Sequence, residues 1–118
     1  MLNKDNLKTR VNILKDADII SEEIANFAYQ VIEELDDSYS DDMCEMFTTH
    51  LVMALSRVEK NEPVETLDPI IFEEVKQNEH FKDAQLNYDK LMKDSKYALP
   101  EQEKEFLLMH LTNLLENQ

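Results

Sequence analysis

Ser40-Asp-Asp-Met-Cys-Glu-Met-Phe-Thr-Thr-His50-Leu-Val-Met-Ala-Leu-Ser-Arg57 reads as one amphipathic helix that carries its own start signal. A serine hydroxyl at Ser40 can accept from the free N–H groups of a first turn, and Asp41 and Asp42 place negative charge at the positive end of the helix. Met43, Met46, Phe47, His50, Ala54 and Arg57 then recur at three- and four-residue steps, the spacing of a single helical face. The pattern runs to about Val58, and Asn61-Glu-Pro63 breaks it. A second run, Leu99-Pro-Glu-Gln-Glu-Lys-Glu-Phe-Leu-Leu-Met-His-Leu111, puts Glu103, Phe106, Leu107, His110, Leu111 and Leu114 on one stripe in the same way. His50 and His110 therefore lie on or beside the packed face of a helix, where a polar ring needs a reason.

Outward from these runs the chain continues to read as helix. Ser21 caps a segment with Glu22 and Glu23 in its first turn and Ile24, Phe27, Ala28, Val31, Ile32 and Leu35 along one face, closed by Asp36-Asp-Ser-Tyr-Ser40. Asp68-Pro69 is a cap followed by proline at the first helical position, opening a short helix over Ile70, Ile71, Phe72 and Val75. Phe81, Ala84, Tyr88, Leu91 and Met92 share a face of the next, which frays near Ser95, and Pro100 opens the last. Leu2, Leu7, Val11 and Leu14 mark a weak leader helix over residues 1–16, ahead of a helical domain over 17–118. The expected fold is all-α: a compact bundle of five main helices, two antiparallel pairs and a shorter packing helix, plus that leader.

Composition agrees. The 118 residues include no Gly, three Pro and no Trp, so hairpin turns and phosphate-cradling glycine loops have little to be made from. One domain of this length buries about two-thirds of its unfolded surface, enough for a core without staples. Twelve basic against twenty-six acidic residues give a formal charge of −14, a field that repels nucleic acid and anionic lipid. Hydrophobic content of 42% at helical period argues against disorder. A single cysteine, Cys44, forms no internal disulfide, and among Asp41, Asp42 and Glu45 its thiol is an inert core group. With no secretory leader and no long apolar run, a cytoplasmic location is expected.

In this order and spacing the segments resemble the PTS regulation domain, a helical module of bacterial transcription antiterminators and activators that the sugar phosphotransferase system phosphorylates on histidine. His50-Leu-Val-Met-Ala-Leu-Ser-Arg57 is similar to that family's first histidine motif, Phe81-Lys-Asp-Ala84 to its middle helix, and Leu99-Pro-x-x-Glu103 leading to His110-Leu111 to its second. The likeness runs from about residue 17 to the end. It departs at Thr49, where family members with strong phosphorylation often carry Asp. The chain resembles a free-standing copy, without the RNA-binding, helix-turn-helix or transport-enzyme-like domains that accompany the module.

The resemblance implies phosphoacceptor roles for His50 and His110 and a donor that is a phosphocarrier or sugar-permease component. A neutral imidazole offers a free lone pair without special tuning. Arg57, seven residues after His50, falls within about 20° of it and could hold phosphate, while Glu103, two turns before His110, could orient a ring. Because Thr49 replaces a carboxylate whereas Leu99-Pro100 and Glu103 are intact, His110 is expected to label more readily than His50. His80 carries no such pattern. A metal enzyme built on His50 and His110 would be the catalytic alternative, but neither belongs to an HExxH or ExxH pair, so no metal, cofactor or small-molecule catalysis is expected. A homodimer is expected, without nucleic-acid or membrane contact. The other reading is a binding module that keeps the fold without being phosphorylated.

Overall fold

Side-chain caps set where the helices begin. In the computed structural model, which describes residues 1–118, the Ser21 hydroxyl accepts from the Ile24 N–H at 3.2 Å and that of Ser40 from the Met43 N–H at 3.4 Å. Asp68 accepts from the Ile70 N–H at 2.8 Å and Asn3 from the Asn6 N–H at 3.1 Å. The chain is all-helical: α1 (Lys4–Asp16), α2 (Glu22–Glu34), α3 (Asp41–Glu59), α4 (Pro69–Gln77), α5 (Phe81–Leu91) and α6 (Glu101–Glu116). Pro69 occupies the first helical position as expected, whereas Pro100 stands one residue outside α6 as its cap. No helix is long and apolar enough to cross a membrane.

Two helix ends show what the lack of glycine does. Past α1, Asp18 takes φ 59°, its N–H donating to the Lys15 carbonyl at 3.0 Å while the Ile19 N–H donates to that of Leu14 at 3.0 Å. Past α3, Asn61 takes φ 55°, with the Asn61 N–H on the Val58 carbonyl at 3.1 Å and the Glu62 N–H on the Arg57 carbonyl at 2.8 Å. Both are Schellman closures in which Asp or Asn fills the left-handed position that glycine usually takes. The second turns the chain sharply after Arg57, so that the segment before α4 runs back beside α3 and α6.

A single apolar core draws on α1, α2, α3, α5 and α6. Leu51, Leu55, Leu107, Leu111 and Leu114 are fully buried in it, and α6 packs on both α3 and α5. α1 belongs to the same core: Leu7 and Val11 are each 1% exposed, and α1 packs chiefly on α2. The Leu2 N–H donates to the Asp37 carbonyl at 2.9 Å and the Asn3 N–H to Asp41 Oδ1 at 2.8 Å, tying the start of the chain to the α2–α3 corner. α4 is different, for none of its residues is buried and Ile70 and Ile71 face outward, while Phe72 meets Phe81 edge-on with ring centroids 5.9 Å apart. Cys44 is wholly enclosed, and burial, reinforced by Asp41, pushes its thiol up to about 12.

Candidate functional site

α3 and α6 bring His50 and His110 together. Their ring centroids are 5.5 Å apart at an interplanar angle of 57°, and Phe106, one turn before His110, packs on His50 at 4.9 Å. Leu107 and Leu111 on α6 and Leu51 and Leu55 on α3 anchor the two helices beneath, so the rings meet at the edge of the core. They line an open groove of about 550 Å³ that also includes Thr49, Arg57, Glu65 and Arg10.

The four residues singled out by sequence are gathered at one place, but their pairing differs from the spacing argument. Glu103 is 0% exposed, and its carboxylate reaches across to α3 rather than along α6. Arg57 donates to Glu103 Oε2 from Nε at 3.1 Å and from Nη2 at 2.7 Å, and the Glu65 N–H donates to Oε1 at 3.2 Å. That same Oε1 lies 3.8 Å from His50 Nε2, as does Glu65 Oε2. Glu103 therefore attends His50 and Arg57, not His110 as its position on the α6 stripe suggests. Arg57, in turn, is committed to a buried carboxylate, with a second one, Glu65 Oε1, at 4.0 Å.

At 3.8 Å neither carboxylate is hydrogen-bonded to His50, and Nε2 is buried without a partner. One ligand-type atom from each of His50, Glu65 and Glu103 falls within 4.8 Å of the others, so these three could ligate a cation. Arg57 already supplies positive charge to both carboxylates of that set. His80 lies elsewhere, at the start of α5, with Glu79 3.6 Å from its Nε2.

Two groove residues have no counterpart in the sequence reading. Glu65 sits in a loop, where no periodicity could place it, and the Asn61 turn is what brings it back. Arg10 comes from α1; its side chain is 50% exposed and its Nη1 is 3.9 Å from Glu45 Oε2. A surface pair of that geometry is worth at most about 1 kcal/mol.

Burial depresses both imidazoles. His110 is held down to about 4 by loss of hydration and by His50 beside it. His50 is lowered by loss of hydration, against the opposing pull of Glu103 and Glu65. Both rings are thus neutral at neutral pH, with lone pairs free. The same shifts make stability depend on acid. A folded-state pKa below the usual 6.5 means that the unfolded chain takes up the proton first. Stability is complete above pH 6.5 and falls as pH drops toward 4, by about 2 kcal/mol for His110 after discounting its partial exposure. Urea midpoints at pH 7 and pH 4.5 test this: the wild type should lose about that much more than His110→Gln. Equal losses in the two proteins would contradict it.

Among protein families, the PRD domain matches residues 24–114, from within α2 through most of α6. α1 lies outside the matched segment. No curated protein and no solved structure matches the chain.

Proposed function

Because the chain belongs to the PRD domain family, a family of regulatory modules, we propose that it is a regulatory domain of the phosphotransferase system whose switch is a phosphohistidine in the α3–α6 groove. The observation that carries this is the meeting of two neutral imidazoles, His50 and His110, at one solvent-open groove. The donor is a phosphohistidine on a carrier or permease component of that system. The acceptor lone pair attacks phosphorus, one N–P bond forms as the donor's breaks, and the donor imidazole leaves neutral. Each ring keeps its own N–H, so no proton has to be moved. The phosphoryl group brings two negative charges beside Glu65 and Glu45; the net change is about −1 while the phosphorylated ring keeps its N–H and about −2 once that proton leaves, in a chain already at −14. The resulting repulsion is the signal read by a partner or a second copy. Ile70, Ile71 and Leu86 leave apolar side chains exposed on α4 and α5, suited to such a contact in a homodimer.

His110 is the primary acceptor in this reading. Two carboxylate oxygens face His50 Nε2 at 3.8 Å and would oppose an incoming phosphoryl group, whereas His110 makes no ion pair. The test is incubation with the general phosphotransferase enzyme, its phosphocarrier and phosphoenolpyruvate, followed by intact mass at alkaline pH. His110→Ala should lose most of the label and His50→Ala should keep most of it. Equal labelling of the two variants refutes the preference. An unlabelled wild type beside a competent carrier favours the unphosphorylated binding module.

A further inference from the structure

We infer that Arg10, on the helix outside the matched family segment, is the residue that receives the phosphoryl group of His110, so that α1 completes the phosphate site. This rests on the phosphohistidine reading above. Two cationic side chains line the groove, Arg57 and Arg10. Arg57 is not available: its guanidinium forks onto Glu103, which is fully buried, and swinging away would strand that carboxylate without a counter-charge. His50 supplies no positive charge either, since burial keeps its ring neutral. A phosphoryl dianion on His110 would then face the carboxylates of Glu65 and Glu45 with nothing to balance it.

Arg10 is held loosely enough to move. Its Nη1 stands 3.9 Å from Glu45 Oε2, and half of the side chain is in solvent. Glu45 is not stranded when Arg10 leaves, because its other oxygen accepts from Asn6 Nδ2 at 2.9 Å. Thr49, which lines the groove beside Arg10, is uncharged and does not compete for the guanidinium. The backbone carrying Arg10 is fixed by Leu7 and Val11 in the core, so only the side chain has to reorient. A guanidinium also suits the partner, since its planar fork matches two phosphoryl oxygens.

The experiment uses potassium phosphoramidate, which phosphorylates histidine without any carrier: the new N–P bond forms, the P–NH2 bond breaks and ammonia leaves. The labelled histidine is assigned by mass spectrometry, and the ³¹P shift of the phosphoprotein is followed from pH 6 upward in the wild type, Arg10→Gln and Arg10→Lys. Above pH 6 the phosphoryl oxygens are already ionised and the proton lost is that of the phosphorylated ring; a nearby cation favours its loss, so Arg10→Gln should raise the pKa read at phosphorus on His110 by about half a unit. Arg10→Lys keeps the charge and should restore most of the wild-type titration. Loss of packing alone would not produce that rescue, and circular dichroism confirms that each variant is folded. Identical titrations of wild type and Arg10→Gln overturn the assignment, as does failure of phosphoramidate to label His110. Labelling by phosphoramidate with the expected shift, but none from the carrier, leaves Arg10 in place and removes the proposed donor.

Discussion

Arg57→Ala is expected to destabilise the fold by about 3–5 kcal/mol, because it leaves Glu103 charged, fully buried and without its partner. For a domain of this size that is a fall in Tm of roughly 10–20 °C. The cost should not be read as the worth of the pair. Taking both charges out together, Arg57→Leu with Glu103→Leu, removes the stranded carboxylate and should recover most of the loss. Part of it will remain, since Glu103 Oε1 also accepts the Glu65 N–H that holds the loop against α6. Urea unfolding of the two singles and the double closes the cycle. A double variant no more stable than Arg57→Ala would show that the pair is not what holds these helices in place.

Leu7→Ala should cost about 2–4 kcal/mol. The residue lies outside the segment matched by the family, and a helix merely resting on the domain would tolerate the change within a few tenths of a kcal/mol. At 1% exposure, flanked by Val11 on its own helix and packed toward α2, it behaves instead as a core leucine whose removal opens a cavity. Chemical denaturation is the direct measurement, and a loss below about 1 kcal/mol would mean that the site can collapse or that α1 is dispensable. The result also bears on the groove, because α1 carries Arg10 there.

Helix starts were legible because they are local. Ser21, Ser40 and Asp68 declare themselves by residue type and by the acidic or proline residue that follows, and each caps as read. What a helix packs against is a tertiary property, and there the pattern misleads in both directions. The Leu2, Leu7, Val11, Leu14 series looks thin, yet it is clamped into the core. Ile70-Ile71-Phe72 looks like a packing face, yet α4 buries none of its residues. The site shows the same division. Stripe positions placed His50, Arg57, Glu103 and His110 on the right faces, and α3 against α6 brought them together. The stripe does not say which way a long side chain turns: it sets Glu103 toward His110 on its own helix, whereas the carboxylate crosses to Arg57. Glu65 and Arg10 were invisible for a plainer reason: one depends on a left-handed Asn61, the other on where α1 docks.

Cys44 offers a use that its burial implies. A thiol with no accessible surface and a pKa near 12 cannot meet a disulfide reagent such as DTNB while the core is intact. Every modification event must therefore pass through an opening of the helices around it, and at reagent concentrations where modification outpaces reclosing the rate of colour development counts those openings. The chain carries no second cysteine to confuse the signal. It contains its own clock for unfolding, one that can be run in native buffer on the wild type and any variant.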